Sequence, residues 1–159
     1  MKNFYKIVLL IMLICFVFCC CSNSNKLTIT FADNSTEKMF VDDIFEIEQT
    51  DGRKYDQISK ISGNGTITDV KYNRPNGGQH WEELFGIDYL ADLFITVDDN
   101  ILIWIELETD ENGFLLEFSK KYKEQFYNGD TIMFEGEFQR INEEDKLLIR
   151  ADKKDVLPG

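Results

Sequence analysis

The chain has 159 residues, with 29 acidic and 17 basic side chains and a formal net charge of −12. Lys2 and Lys6 are the only charged residues among the first 21, so the rest carries 15 basic and 29 acidic side chains, a net −14. This surface disfavours binding to nucleic acid and docking on anionic lipid headgroups, since both need a surplus of basic side chains. Solvated carboxylates explain the charge without any partner, and a cationic ligand is the alternative.

The first 21 residues have the pattern of a secretory signal peptide. Lys2 and Lys6 mark a positive start, an apolar run covers residues 7–18, and three consecutive cysteines follow. With the cysteines, the apolar stretch 7–21 has 15 residues, fewer than the minimum of about 17 for a spanning helix. We therefore expect export rather than a permanent transmembrane helix.

All four cysteines lie in this leader, and the 138 residues after it have none. The domain is therefore expected to lack disulfides, thiolate metal sites and a cysteine nucleophile. The run Cys19-Cys20-Cys21, followed by the polar segment 22–26, resembles the lipobox of bacterial lipoproteins. The residues before the cysteines depart from the usual Leu-Ala-Gly form and are similar to the looser lipoboxes of spirochaetes, so Cys20 and Cys21 are both candidates.

The lipobox resemblance implies a diacylglycerol on the cysteine that becomes the new N-terminus. Two or three acyl chains, each contributing about 0.8 kcal/mol per buried CH₂, would hold the protein stably. The implied partner is thus a membrane, and the implied location is the bacterial cell envelope, either periplasmic or surface-facing.

Residues 22–57 are predicted to form a polar tether followed by a strand and a helix. Alternation of apolar and polar residues predicts a strand at 27–31. Ser35 or Thr36 is the expected cap of a helix. Its apolar face would contain Phe40, Val41, Ile44 and Phe45. A hairpin that pairs 27–31 with 44–48 is the competing prediction.

Strand patterns dominate from Ile58 onward. Alternating apolar residues and bounding turn residues predict strands at 58–70, 93–97, 101–108, 114–118, 131–138 and 146–151. A short helix is expected over 119–127, with Ser119 as its cap and the turn 128–130 at its end. Residues 71–89 are expected to form a long loop.

The order of strand, two-stranded hairpin, short helix and two strands resembles the OB-fold, a five-stranded Greek-key barrel. The most specific residues are 128–136, which are similar to the Gly-Asp turn and glycine-ended strand of the tRNA-anticodon-binding-like group. Residues 62–67 look like the glycine-bent first strand of that group. The resemblance implies a mainly β, OB-like domain over 58–156, with strand 93–97 and loop 71–89 as insertions.

OB barrels bind ligands on the face of their second and third strands, framed by flanking loops. The candidate ligand-binding residues are Tyr72, Arg74, His80 and Trp81 in the long loop and Trp104 on a strand. The loop residues either stack on a ligand or cover one end of the barrel. Trp104 stands beside Glu106 and Glu108, whereas faces that bind nucleic acid place aromatics among basic residues.

The sequence offers no assembled catalytic or metal site. His80 is the sole histidine, no Gly-x-Ser-x-Gly elbow is present, and the acidic pairs lack EF-hand spacing. We therefore expect a non-catalytic binding module without a cofactor, whose partner is an envelope protein, a peptide or a small ligand. The alternatives are a hydrolase that uses carboxylates of strand 101–108 and a purely structural surface lipoprotein.

Overall fold

The computed structural model describes residues 26–73, 90–110 and 114–159. The strands are β1 (Leu27–Phe31), β2 (Thr36–Met39), β3 (Ile58–Asn73), β4 (Leu90–Val97), β5 (Ile101–Glu108), β6 (Thr131–Ile141), β7 (Leu147–Arg150) and β8 (Val156–Pro158). The helices are α1 (Val41–Thr50), α2 (Gly52–Tyr55) and α3 (Glu117–Lys123), and a 3-10 turn covers Lys153–Asp155.

Five strands close into a barrel in the order β3-β4-β5-β7-β6, with β6 pairing back onto β3. All neighbours are antiparallel except β5 and β7, which are parallel. Helix α3 lies between the third and fourth barrel strands. This order is that of an OB-like barrel, so the predicted fold class is confirmed.

The predicted strand 93–97 is not an insertion. It belongs to β4, the second barrel strand, and pairs with β5 from Leu90↔Glu108 to Val97↔Ile101. A tight turn joins the two strands, with positive φ at Asp98 and Asp99. The prediction of an inserted strand was wrong, because β4 and β5 form the hairpin of the barrel and residues 114–118 are not a barrel strand.

The predicted strand 114–118 was wrong: residues 114–116 contribute only an isolated bridge, between Leu115 and Thr109, and α3 begins at Glu117. The side chains of Phe114 and Phe118 are exposed to solvent rather than packed in a sheet. Helix α3 therefore starts two residues earlier than predicted, and Ser119 is not its cap. Ser119 is buried instead, and its hydroxyl oxygen accepts a hydrogen bond from the Glu108 N–H at 3.0 Å.

The turn before β6 is fastened to the first barrel strand. Gly129 has a φ of 93°, a conformation that favours glycine. Its N–H donates to the Ile67 carbonyl, and the Ile67 N–H donates to the Asp130 carbonyl, both at 2.8 Å. This Gly-Asp turn thus positions β6 for its pairing with β3.

The N-terminal extension adds a hairpin and a helix to the barrel wall. Strand β1 is confirmed, but it pairs with β2 and β3, so the predicted hairpin with 44–48 was wrong. Because residues 36–39 continue as a strand, α1 begins only at Val41, and neither Ser35 nor Thr36 caps it. The Phe40 N–H instead donates to the Asp43 carboxylate at 2.8 Å.

Alternate residues of the barrel strands fill its interior. The fully buried ones include Ile61, Ile67, Leu93, Ile95, Ile103, Ile105, Leu107, Ile132 and Ile149. Gly136 permits the close approach of β6 and β7, since a Cβ there would lie 2.5 Å from the Arg150 carbonyl oxygen. Strand β8, which the sequence did not predict, pairs with β6 and buries Val156.

Candidate functional site

The outer side of β4, β5 and β7 carries the side chains that OB barrels offer to ligands. Directly paired residues point to the same side of a sheet. The central row consists of Phe94, Trp104 and Arg150, linked by the pairs Phe94↔Trp104 and Trp104↔Arg150. Phe94 and Trp104 are half-buried, and Arg150 is exposed. The row is flanked by Asp92 and Glu106 on one side and by Thr96, Leu102 and Leu148 on the other. We call these eight residues the outer face.

Trp104 is held in place by polar contacts. Its indole N–H donates to Asp92 Oδ1 at 2.8 Å. The Arg150 guanidinium carbon lies 5.4 Å from the indole centroid, within cation–π range, and Arg150 Nη2 forms an ion pair with Glu106 Oε1 at 2.8 Å. The aromatic surface is thus fixed among groups that can form hydrogen bonds with a ligand.

A groove continues from the outer face toward α3. It has a volume of about 650 Å³, within the range of roughly 300–1,000 Å³ that small-ligand sites occupy. Its lining is Glu106, Leu107, Glu108, Phe118, Tyr122, Gln125, Arg150, Ala151, Asp152, Lys153, Lys154 and Leu157. Glu106 and Arg150 belong to both the outer face and the groove, so the two form one continuous surface.

The walls of the groove are apolar and its rim is charged. Lys153 Nζ pairs with Glu108 Oε1 at 2.9 Å and lies 5.3 Å from the Phe118 centroid. Tyr122 donates its hydroxyl proton to the Val156 carbonyl at 3.1 Å. Burial, with a smaller effect of the Asp155 charge, raises the pKa of Tyr122 far above its ordinary value. The phenol supports the groove wall as a hydrogen-bond donor, and the raised pKa keeps it neutral even where a free tyrosine ionises.

The two carboxylates expected to act in the alternative hydrolase line this groove, two residues apart on β5. Each forms an ion pair with a cation, Glu106 with Arg150 and Glu108 with Lys153. The two carboxyls of a glycosidase flank the scissile bond, whereas each of these two is engaged by a cationic side chain. Across the described ranges, no three His, Cys, Asp or Glu side chains are grouped to hold a metal ion.

Other perturbed pKa values belong to structural contacts. Hydrogen bonds from Ser35 lower the pKa of Asp33, and the hydrogen bond and charge of Lys146 lower that of Glu144. Burial raises the pKa of Tyr55, whose hydroxyl oxygen accepts the Ile141 N–H at 3.0 Å. These groups stabilise turns and packing outside the groove.

The structure describes two of the five residues predicted to bind a ligand. Trp104 lies on the outer face, as the strand pattern predicted. Tyr72 pairs with the inward-pointing Leu93 and packs against the core, with Lys123 Nζ 3.9 Å from its ring centroid. Tyr72 and Trp104 are therefore not brought together on one face. Arg74, His80 and Trp81 lie outside the described residues, as do the lipidation candidates Cys20 and Cys21.

Sequence reasoning missed Asp92, Phe94 and Arg150 as members of the outer face. A placement of strand 93–97 in the barrel would have predicted that Phe94 points to the same side as Trp104. Arg150 becomes a neighbour of Trp104 only through the parallel β5–β7 register, which no local pattern encodes.

No protein-family model matches the chain, and no curated protein matches it. Within the described ranges, no helix has both the length and the apolar character to cross a bilayer.

Proposed function

We propose that the protein is a lipoprotein of the bacterial cell envelope whose OB-like barrel is a non-catalytic binding module. The leader supports the anchor, because Lys2, Lys6, the apolar run and the cysteines together have the pattern of an exported, lipid-modified chain. Cys20 or Cys21 would carry the lipid. The barrel would then bind an envelope protein, a peptide or a small ligand close to the membrane.

The observation that carries the binding role is the continuity of the outer face with the groove. Trp104 and Phe94 provide aromatic area, and Asp92, Glu106 and Arg150 surround it with hydrogen-bonding groups. Convergent polar groups beside an apolar cavity are typical of ligand sites. A purely structural lipoprotein would need no such surface.

Nucleic acid is a poor candidate for this ligand. The indole N–H of Trp104 is bound to an acidic residue, Asp92. The cation beside the indole ring, Arg150, is already paired with Glu106. The net charge after residue 21 is −14. Phosphate binding needs free basic side chains along the track of the backbone.

The test places a photo-crosslinking amino acid, benzoylphenylalanine, at Phe94 of the full chain in growing cells. We expect a discrete adduct, identified by mass spectrometry, that disappears when Trp104→Ala is added. Glu46, exposed on α1, is the matched control position and should give no such adduct. Identical adduct patterns at Phe94 and Glu46 would refute the binding role and favour the structural lipoprotein.

The hydrolase alternative has a separate test. If the purified protein cleaves a glycan and Glu106→Gln or His80→Ala abolishes the cleavage, the module is an enzyme. We expect no turnover, because Glu106 and Glu108 are both ion-paired.

A further inference from the structure

Exposed apolar side chains are aligned where the N-terminal tether enters the domain. Met133 pairs with Asn64 on one side and with Leu157 on the other, and all three residues are exposed. Met133 is 53% exposed and Leu157 is 49% exposed, large fractions for such side chains.

Two further exposed residues lie just before β1 and just after β2. The pair Leu27↔Met39 is buried, so the residues one step beyond it, Lys26 and Phe40, point outward. Lys26 Nζ lies 4.9 Å from the Phe40 ring centroid, which shows that the two are neighbours. Extending the β1–β3 register beyond Thr28↔Ser62 sets Leu27 opposite Gly63, where the Leu27 side chain lies against the glycine, and Lys26 opposite Asn64. We call Phe40, Lys26, Asn64, Met133 and Leu157 the tether-side row.

The length of the tether restricts where this row can lie. Five residues separate Cys21 from Leu27, and six separate Cys20 from it. Fully extended, they reach at most about 20–25 Å. A domain of this size is roughly 30–35 Å across. An anchor on either cysteine is therefore too short for the side of the domain opposite Lys26 to lie against the bilayer.

We propose that the tether-side row is a membrane-docking edge, on which Phe40, Met133 and Leu157 contact the lipid bilayer of the membrane that holds the anchor. The inference rests on the lipid anchor of the proposed function. Aromatic and long apolar side chains beside a lysine suit the membrane interface, where the ammonium group reaches the headgroups. Other exposed apolar residues, such as Phe114, lie outside this row.

The neighbouring row limits how deeply the edge inserts. The next outward-pointing row lies two residues along each strand from the tether-side row and consists of Lys38, Thr28, Ser62 and Glu135. Their charges and hydroxyls favour water or headgroups over acyl chains. Because the anchor makes contact with the bilayer intramolecular, even a weak apolar contact suffices to orient the domain. The row shares no residue with the outer face, but its Leu157 also lines the groove, so docking brings the bilayer to one end of the groove.

The test uses the full lipidated chain, purified from membranes and reconstituted into phosphatidylcholine vesicles that contain lipid brominated high on the acyl chain. Bromine quenches tryptophan fluorescence at contact. Met133→Trp and Leu157→Trp are compared with Gln139→Trp, which is exposed on β6 six residues, or about 20 Å, from Met133. Trp81 and Trp104 give the same background in every variant.

We expect bromolipid to quench the tryptophan at 133 and at 157 several-fold more than the one at 139. Equal quenching at all three positions, in protein that floats with the vesicles, would overturn the docking edge while leaving the anchor intact. Protein that fails to float refutes the anchor itself, and the docking edge falls with it. Flotation of the Cys20→Ser/Cys21→Ser chain serves as the control for adhesion that does not need the lipid.

Discussion

Gly136→Ala should destabilise the barrel markedly, because this glycine lets β6 and β7 approach one another. A Cβ at position 136 would lie 2.5 Å from the Arg150 carbonyl oxygen and 2.6 Å from Ile149 Cγ2. The oxygen belongs to the β7 backbone, which is held by its pairs with β5 and β6, so it cannot rotate away as a side chain would. Relief requires the two strands to separate.

The size of the effect follows from this overpacking. Extra carbon in a well-packed site costs typically about 1–3 kcal/mol, and contact with backbone puts Gly136→Ala near the upper end. With a urea m-value of about 2 kcal/mol/M, the unfolding midpoint should fall by about 1 M or more. Tryptophan fluorescence of the chain from Ser22 onward, followed during urea unfolding, measures this shift.

Gly52→Ala is the matched control. Gly52 lies in α2, and a Cβ there meets nothing within 4 Å. Alanine is favoured over glycine in a helix by about 0.5–1 kcal/mol, so this variant should be unchanged or slightly more stable. Equal midpoints for Gly136→Ala and the wild type would mean that β6 and β7 do not meet as described.

Three further substitutions test other parts of the structure. Tyr122→Phe removes the hydrogen bond to Val156 and should cost about 1 kcal/mol at pH 8 in urea unfolding. Burial raises the pKa of Tyr122 in the folded state, so the stability that the neutral phenol contributes is complete below about pH 10 and is lost as the pH rises further. The difference in unfolding free energy between Tyr122→Phe and the wild type should therefore be smaller at pH 11 than at pH 8. An equal difference at the two pH values contradicts this. Asp99→Gly relieves a φ of 64° in the β4–β5 turn and should raise the free energy of unfolding by about 0.5–1 kcal/mol, whereas any loss argues against this turn. Asp43→Ala removes the acceptor for the Phe40 N–H and should lower stability by about 0.5–1 kcal/mol, and Asp42→Ala, which lacks that contact, is its control.

The barrel was largely predictable because its central strands have a clear period of two. Ile101 to Leu107 point inward at every second residue, as the sequence indicated, and Gly136 stands where two strands approach closely. Residues 114–118 have no such period and follow a turn, and a short apolar segment of this kind does not distinguish a barrel strand from the start of a helix.

Strand β2 shows the opposite failure. Only Met39 of its four residues is buried, so the strand has almost no pattern of its own. It forms because β1 offers a free edge in register, which is a tertiary cause. The outer face was predictable only in part. Trp104 stands out in the sequence, but its contacts with Asp92 and Arg150 depend on the strand register, which is also a tertiary cause.

Fatty-acid labelling is the most direct test of the proposal that this barrel is tethered to a membrane. Cells that express the full chain are grown with a clickable palmitate analogue, and the protein is isolated and probed for the label. The wild-type chain should carry the label. One of the two single variants, Cys20→Ser or Cys21→Ser, should lose it, and the double variant should have none. Label that persists in the double variant, or a wild-type chain that never acquires label, would contradict the account.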